Sequence, residues 1–160
     1  MTDETEKTST SRVRTRTPSS PHASSPAVRR RMQSTPRRDT PCELALRSAV
    51  HRLGLRYRVD WPLPGTRRRA DLAFVKARVA IFVDGCFWHG CPVHGSWPKA
   101  NADFWRRKIQ TNQERDSDTD RCLVEAGWRV IRFWEHQDMD AAARKVLAAL
   151  LEVARTRPLV

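Results

Sequence analysis

The sequence predicts a small α/β domain built on a mixed sheet, and three observations carry that expectation. Val79-Ala80-Ile81-Phe82-Val83 is an unbroken apolar run with the length and character of a buried strand. Around it, a helical pattern, three extended stretches, a long helical region, one more extended stretch and an Ala/Leu-rich helix follow in order. The chain has 160 residues, enough for one domain with a real core.

Net charge is +12, which suits a polyanionic partner, nucleic acid first; a solvated basic surface is the plain alternative. Four cysteines, two of them close together, fit metal binding better than a disulfide framework. Nothing at the N-terminus resembles an apolar signal segment, and no apolar run is long enough to span a bilayer. The expected compartment is a reducing cytoplasm, in association with the nucleoid.

Residues 1–38 contain no Phe, Trp or Tyr and are rich in Ser, Thr, Pro and Arg. Such composition buries too little apolar surface to offset ordering entropy. Most of this arm is expected to be disordered, with residues 1–28 as a basic arm and residues 29–155 as the domain. Arg29-Arg30-Arg31 and Arg37-Arg38 stand at its inner end, where they can lie along phosphates, and Met32 lies between the two clusters.

Thr40-Pro41-Cys42-Glu43 reads as a helix start: Thr40 caps, Pro41 suits the first helical position, and Glu43 falls where a capping box needs it. Leu46, Ala49, Val50 and Leu53 form one apolar face, and Gly54 ends the helix. Residues 55–59 read as a first strand and residues 63–66 as a turn, followed by the basic run Arg67-Arg68-Arg69. Residues 70–75 form a second strand with Asp71 near its start. Lys76-Ala77-Arg78 joins it to the central apolar run, so those two strands should be hairpin neighbours. Asn101 is placed to cap a helix carrying Phe104, Trp105, Lys108 and Ile109. A second, polar helical stretch is expected over residues 112–121, stopping at Gly127. Residues 128–134 form the last strand, with Glu135-His136 just past it, and residues 140–154 the closing helix. Cys42 and Cys122, on apolar helical faces, read as core residues.

The reactive side chains concentrate after the Asp84-Gly85 turn. Cys86-x4-Cys91-x2-His94 offers three ligands at spacings a zinc ion can use. His89 lies among them, either as a further ligand or as an acid or base titrating near neutrality. Phe87 and Trp88 suit stacking on or wedging between bases; packing into the core is the alternative for either. Asp71, beside a strand that closes in Val83-Asp84, can supply oxygen to Mg²⁺ or pair with Arg67, Arg68 or Arg69.

Taken together the motifs resemble the very short patch repair (Vsr) endonuclease family. The matching pieces are Arg38-Asp39-Thr40-Pro41-x-Glu43, Leu63-Pro64-Gly65 with Asp71, Phe82-x-Asp84-Gly85-Cys86-Phe87-Trp88-His89, and Cys91-Pro92-x-His94. Phe104-Trp105, Lys108, Asn112, Glu114-Arg115-Asp116, Gly127-Trp128 and Trp134-Glu135-His136 complete the set, from about Val28 to His136. The resemblance implies a restriction-endonuclease-like (PD-(D/E)XK-type) single domain, a mixed central sheet flanked by helices, with a structural zinc site. It implies nicking of duplex DNA 5′ to the thymine of a T:G mismatch left by 5-methylcytosine deamination.

Carried over residue by residue, the resemblance makes Asp71, His89 and Glu43 catalytic. Mg²⁺ would be held by Asp71 and the Val83 backbone carbonyl, with the Asp84 carboxylate as a further candidate. His136 becomes the fourth zinc ligand beside Cys86, Cys91 and His94. Asn112 and Asp116 become supporting polar residues, a solvated helix face being the alternative for both. Phe87, Trp88, Met32 and Arg29-Arg30-Arg31 become DNA contacts. Expected partners are duplex DNA and mismatch-repair proteins, with the enzyme a monomer away from membranes. Two rivals stay open: a restriction-type or other nuclease of the same fold, and a non-catalytic zinc-containing DNA-binding module.

Overall fold

Eight elements follow in order in a computed structural model that describes residues 25–34, 36 and 38–156: α1 (Pro26–Ser34), α2 (Pro41–Arg52), β1 (Arg58–Pro62), β2 (Arg69–Phe74), β3 (Val79–Asp84), α3 (Ala102–Glu125), β4 (Arg129–Trp134) and α4 (Met139–Thr156). The four strands form one sheet in the order β1-β2-β3-β4. β1–β2 and β2–β3 pair antiparallel, the latter as the expected hairpin, while β3–β4 pair parallel from Val79↔Arg129 to Asp84↔Trp134. Parallel neighbours need a crossover of a dozen residues or more, and α3 supplies it.

The alternation of β3 sorts its side chains between two layers. Val79, Ile81 and Val83 join Leu46, Val50, Ala143 and Val146 in the core under α2 and α4. Ala80 and Phe82 join Leu123 of α3 on the other face. The sheet is thus covered on both sides, and β3, paired on both edges, carries the site at its C-terminal end.

Both helices before the sheet's key turns close on glycine. Gly54, at φ +77°, is bonded to His51 O, and Leu55 N–H reaches back to Val50 O at 3.4 Å. Gly127 repeats the pattern, with Trp128 N–H on Leu123 O at 2.8 Å.

Several expectations shift. A helix spans Pro26–Ser34 within the arm, whose Ala, Arg and Gln are good helix formers behind a first-position proline. The Arg31 and Met32 side chains and residues 1–24 lie outside the described residues. The first strand runs over Arg58–Pro62 rather than residues 55–59; a proline is tolerated there because β1 is an edge strand. Leu53 leaves the apolar face to become the C-cap of α2 and is 40 % exposed. The two helical stretches expected after Asn101 are one helix of 24 residues, and Asn101 precedes it in the left-handed conformation without a capping side-chain bond. Cys42 and Cys122 are only partly buried.

Candidate active site and metal centre

Three groups of side chains meet around the end of β3. The first is at the gap between β2 and β3. Their ladder stops at Leu72↔Ile81, and beyond it Val83 N–H donates to Asp71 Oδ2 at 2.7 Å. A strand residue sends its N–H and C=O to the same side, so the Val83 carbonyl faces the gap that the Asp71 carboxylate occupies. Burial pushes the Asp71 carboxyl up to about 7; the Val83 N–H opposes this, and the charges of Glu43 and Asp84 add to it. The rival ion pair with the basic run is not formed. Arg69 Nε bonds Asp60 at 2.8 Å, and Arg68 turns to Thr119 Oγ1 and the Arg115 carbonyl on α3.

Glu43 is 4 % exposed and fully engaged at the start of α2. Its carboxylate accepts from Asp39 N–H, Thr40 Oγ1 and Arg47 Nη2, each at 3.0 Å. Thr40 Oγ1 accepts in turn from Glu43 N–H at 3.4 Å. The capping role is therefore real. Its charge still reaches Asp71, so capping does not isolate it from that carboxylate.

The second group lies where β3, β4 and α3 meet. His89 Nδ1 is 2.5 Å from Asp116 Oδ2 and 3.6 Å from Asp84 Oδ1. Arg132, on β4, presents Nη1 to Asp84 Oδ1 and Oδ2 at 2.8 and 3.1 Å and lies 4.4 Å over the Phe82 ring. Its Nε and Nη2 hold Asp120 at 2.9–3.1 Å. Burial pushes the Asp84 carboxyl up, against the pull of Arg132 and His89. Burial works the same way on Asp116, but the His89 hydrogen bond and charge, with Arg132, outweigh it and hold Asp116 low. Asp84 is thus hydrogen-bonded to Arg132, with His89 nearby but bonded to Asp116.

The third group is a metal-ligating set. Cys86, Cys91, His94 and His136 each offer an atom, all within 4.8 Å of one another. Cys86 Sγ stands 3.0 Å from His136 Nδ1, and the two histidine rings are 4.2 Å apart centre to centre. Burial and the neighbouring Cys91 sulfur push the Cys86 thiol up to about 11. Against its own burial, Cys91 is held low by the backbone N–H groups of His94, Val93 and Gly95. Two sulfurs and two imidazoles crowded together, with one thiol so raised, suit a thiophilic cation that would displace the protons. Glu135 Oε1 accepts from Cys86 N–H at 2.7 Å, tying the set's loop to the end of β4.

The loop carrying His89 is clamped onto α3. Asn112, 5 % exposed, donates to Trp88 O at 2.8 Å, and Gln113 donates to His89 O at 3.1 Å. Gly90 sits at φ +64° against this helix; a Cβ there would meet Gln113 Nε2 at 2.7 Å and Ile109 Cγ2 at 2.8 Å. Asn112 and Asp116 therefore face the loop that carries His89 and not solvent. Phe87 and Trp88 pack edge-to-face, 5.1 Å apart, and both rest against the buried Trp105 at 5.2 and 6.0 Å. Each stays half-buried. Arg29 and Arg30 are exposed on α1.

Sequence reasoning missed Arg132, Asp120 and Arg47. The available signal was an arginine inside the apolar run Val130-Ile131-Arg132-Phe133, where a charge turned away from water needs partners.

Residues 23–94 match the family described as DNA mismatch endonuclease Vsr. Over 124 residues the chain is 44 % identical to the type II nicking enzyme V.NaeI of Lentzea aerocolonigenes, covering 76 % of this chain and 75 % of that one. It is 40 % identical over 115 residues to the type II nicking enzyme V.XorIIP of Xanthomonas oryzae pv. oryzae, covering 70 % and 82 %. It is 39 % identical over 109 residues to the DNA mismatch endonuclease Vsr of Escherichia coli K12, covering 65 % and 66 %.

Proposed function

The chain belongs to the Vsr family of DNA mismatch endonucleases, and on that premise we propose that it nicks duplex DNA 5′ to the thymine of a T:G mismatch left by 5-methylcytosine deamination. The observation that carries the reading is the gap at the end of β2 and β3. There a raised carboxylate and a backbone carbonyl converge; no guanidinium bonds Asp71 itself, and the charges of Glu43 and Asp84 raise it further although Arg47, bonded to Glu43, opposes them. Such a hard oxygen donor set fits Mg²⁺, with Asp71 and the Val83 carbonyl as the protein ligands. When bound, Mg²⁺ offsets charge developing on the phosphodiester and activates water.

The remaining roles fall to residues of this chain. His89, with Nδ1 engaged by Asp116, has Nε2 left to move a proton to or from the reacting water or phosphate. Glu43, fixed by its cap bonds, holds negative charge near the metal-bound face of the gap. Cys86, Cys91, His94 and His136 form a closed Cys₂His₂ set, which fits structural zinc. Phe87 and Trp88 wedge the weakened step, with Met32 as a candidate for the opposite groove, while Arg29, Arg30 and Arg31 hold phosphates. The fold is that of a restriction-endonuclease-like domain acting as a monomer in the cytoplasm. Among the described residues no helix is long and apolar enough to cross a membrane.

A second reading is strand nicking at a target other than a mismatch, since V.NaeI and V.XorIIP are named as nicking enzymes and their names state no mismatch. One assay separates the two: nicking of duplexes with T:G, T:A or C:G at a single position, with and without Mg²⁺. The expected result is a single-strand nick at T:G alone, and only with Mg²⁺. Equal nicking of T:A or C:G supports the second reading, and no nicking of any duplex leaves a DNA-binding module.

A further inference from the structure

Arg132 is an arginine on the edge strand β4 that turns inward to a set of carboxylates. It sits on β4 beside β3, its side chain 21 % exposed, and touches carboxylates from two other elements. Asp84 from β3 takes one end of the guanidinium and Asp120 from α3 takes the other. Asp116, one turn before Asp120, lies between them: Oδ1 is 3.8 Å from Arg132 Nη2, and Oδ2 is on His89. The guanidinium is planar and rigid, so its fork fixes the relative positions of the groups it bonds. The Phe82 ring beneath it limits its tilt. Three carboxylates so close would otherwise repel, and His89 would be shared between Asp84 and Asp116.

We infer that Arg132 is a positioning residue for the reaction: it locks Asp84, Asp116 and Asp120 into one frame, so that Asp116 alone orients His89 toward the β2–β3 gap. The same frame assigns Asp84 to Arg132 and removes it from the set of metal ligands. This rests on the acid–base reading of His89, and the experiment is built to separate the two.

Steady-state nicking of the mismatched duplex is measured for the full chain with its zinc, across a Mg²⁺ titration. General acid–base groups contribute roughly 10²–10⁴-fold, so Arg132→Met is expected to lower kcat about 100-fold, with KM within about threefold of the parent. Arg132→Lys keeps the charge and should recover about tenfold of that loss. Asp84→Asn should share the kcat defect and leave the Mg²⁺ midpoint unchanged. The double variant with Arg132→Met should be no worse than the poorer single, as coupled residues are non-additive. A parent-like kcat in Arg132→Met, a loss confined to KM, or no recovery with Lys would overturn the inference. So would a tenfold shift of the Mg²⁺ midpoint in Asp84→Asn. If Arg132→Met fails to fold by circular dichroism and zinc content, Asp120→Asn carries the same kcat-against-KM test from the more exposed end of the frame. His89→Ala is the separating arm. If it nicks at the parent rate, the acid–base reading itself falls; if it is inactive while Arg132→Met is not, only the frame falls.

Discussion

Asp71 is held where its own charge is disfavoured. Burial, with Glu43 and Asp84 nearby, raises its carboxyl from 3.8 to about 7. The fold therefore prefers the protonated form. That preference is worth most to stability below the unfolded value of 3.8 and is lost as pH rises through 7. Asp71→Asn should abolish nicking and keep DNA binding. Without added divalent cation it should also melt above the parent at pH 8, a gain that shrinks as pH falls toward 4. Differential scanning fluorimetry over that range checks this, and an Asn variant melting below the parent at pH 8 would contradict it. Asp71 and His89 could be singled out in the sequence because the motifs of the resemblance carry them. Arg132 could not, because its partners lie 12 and 48 residues away in the chain and no local period reveals them.

At the scale of the element, the loop after β3 is held from both sides, by α3 through Asn112 and by the end of β4 through Glu135 and His136. The proposed zinc set predicts that His136→Ala and Cys91→Ser each lose zinc by elemental analysis and lower the melting temperature, since ligand binding to the folded state alone is stabilising. Full zinc occupancy in either variant would remove that residue from the set. The aromatic pair rests on Trp105, so the two rings have a backing against which to wedge. Base stacking is worth ~1–3 kcal/mol. Phe87→Ala and Trp88→Ala should therefore cut the T:G to T:A nicking ratio about tenfold while duplex affinity changes less. An unchanged ratio in both folded variants excludes the wedge. The loop's ligands and rings were readable from their spacing. The single helix α3 was not: Asn112, Asp116 and Asp120 look like a solvent face in sequence, and only the loop and strand packed on them turn that stripe inward.

At the scale of the whole molecule, the fold class was readable because the sequential order of apolar segments matches the spatial order of the sheet. The basic character was equally plain at a net charge of +12. The limits of the edge strand were harder to read, because β1 is mostly exposed or half-exposed and its pattern carries no strong alternation.

β3 contributes Val83 to one group and Asp84 to the next, and it leads directly into the loop of the third. It is also, like β2, a strand with partners on both edges and a core on both faces. Segments so enclosed open only when the whole domain opens, whereas edges and termini fray on their own. The amides of β2 and β3 should accordingly be the slowest to exchange with deuterium, and those of β1 markedly faster. Heating should then inactivate the protein at the temperature at which it unfolds and not before, because the reactive groups are anchored to the last part of the chain to let go.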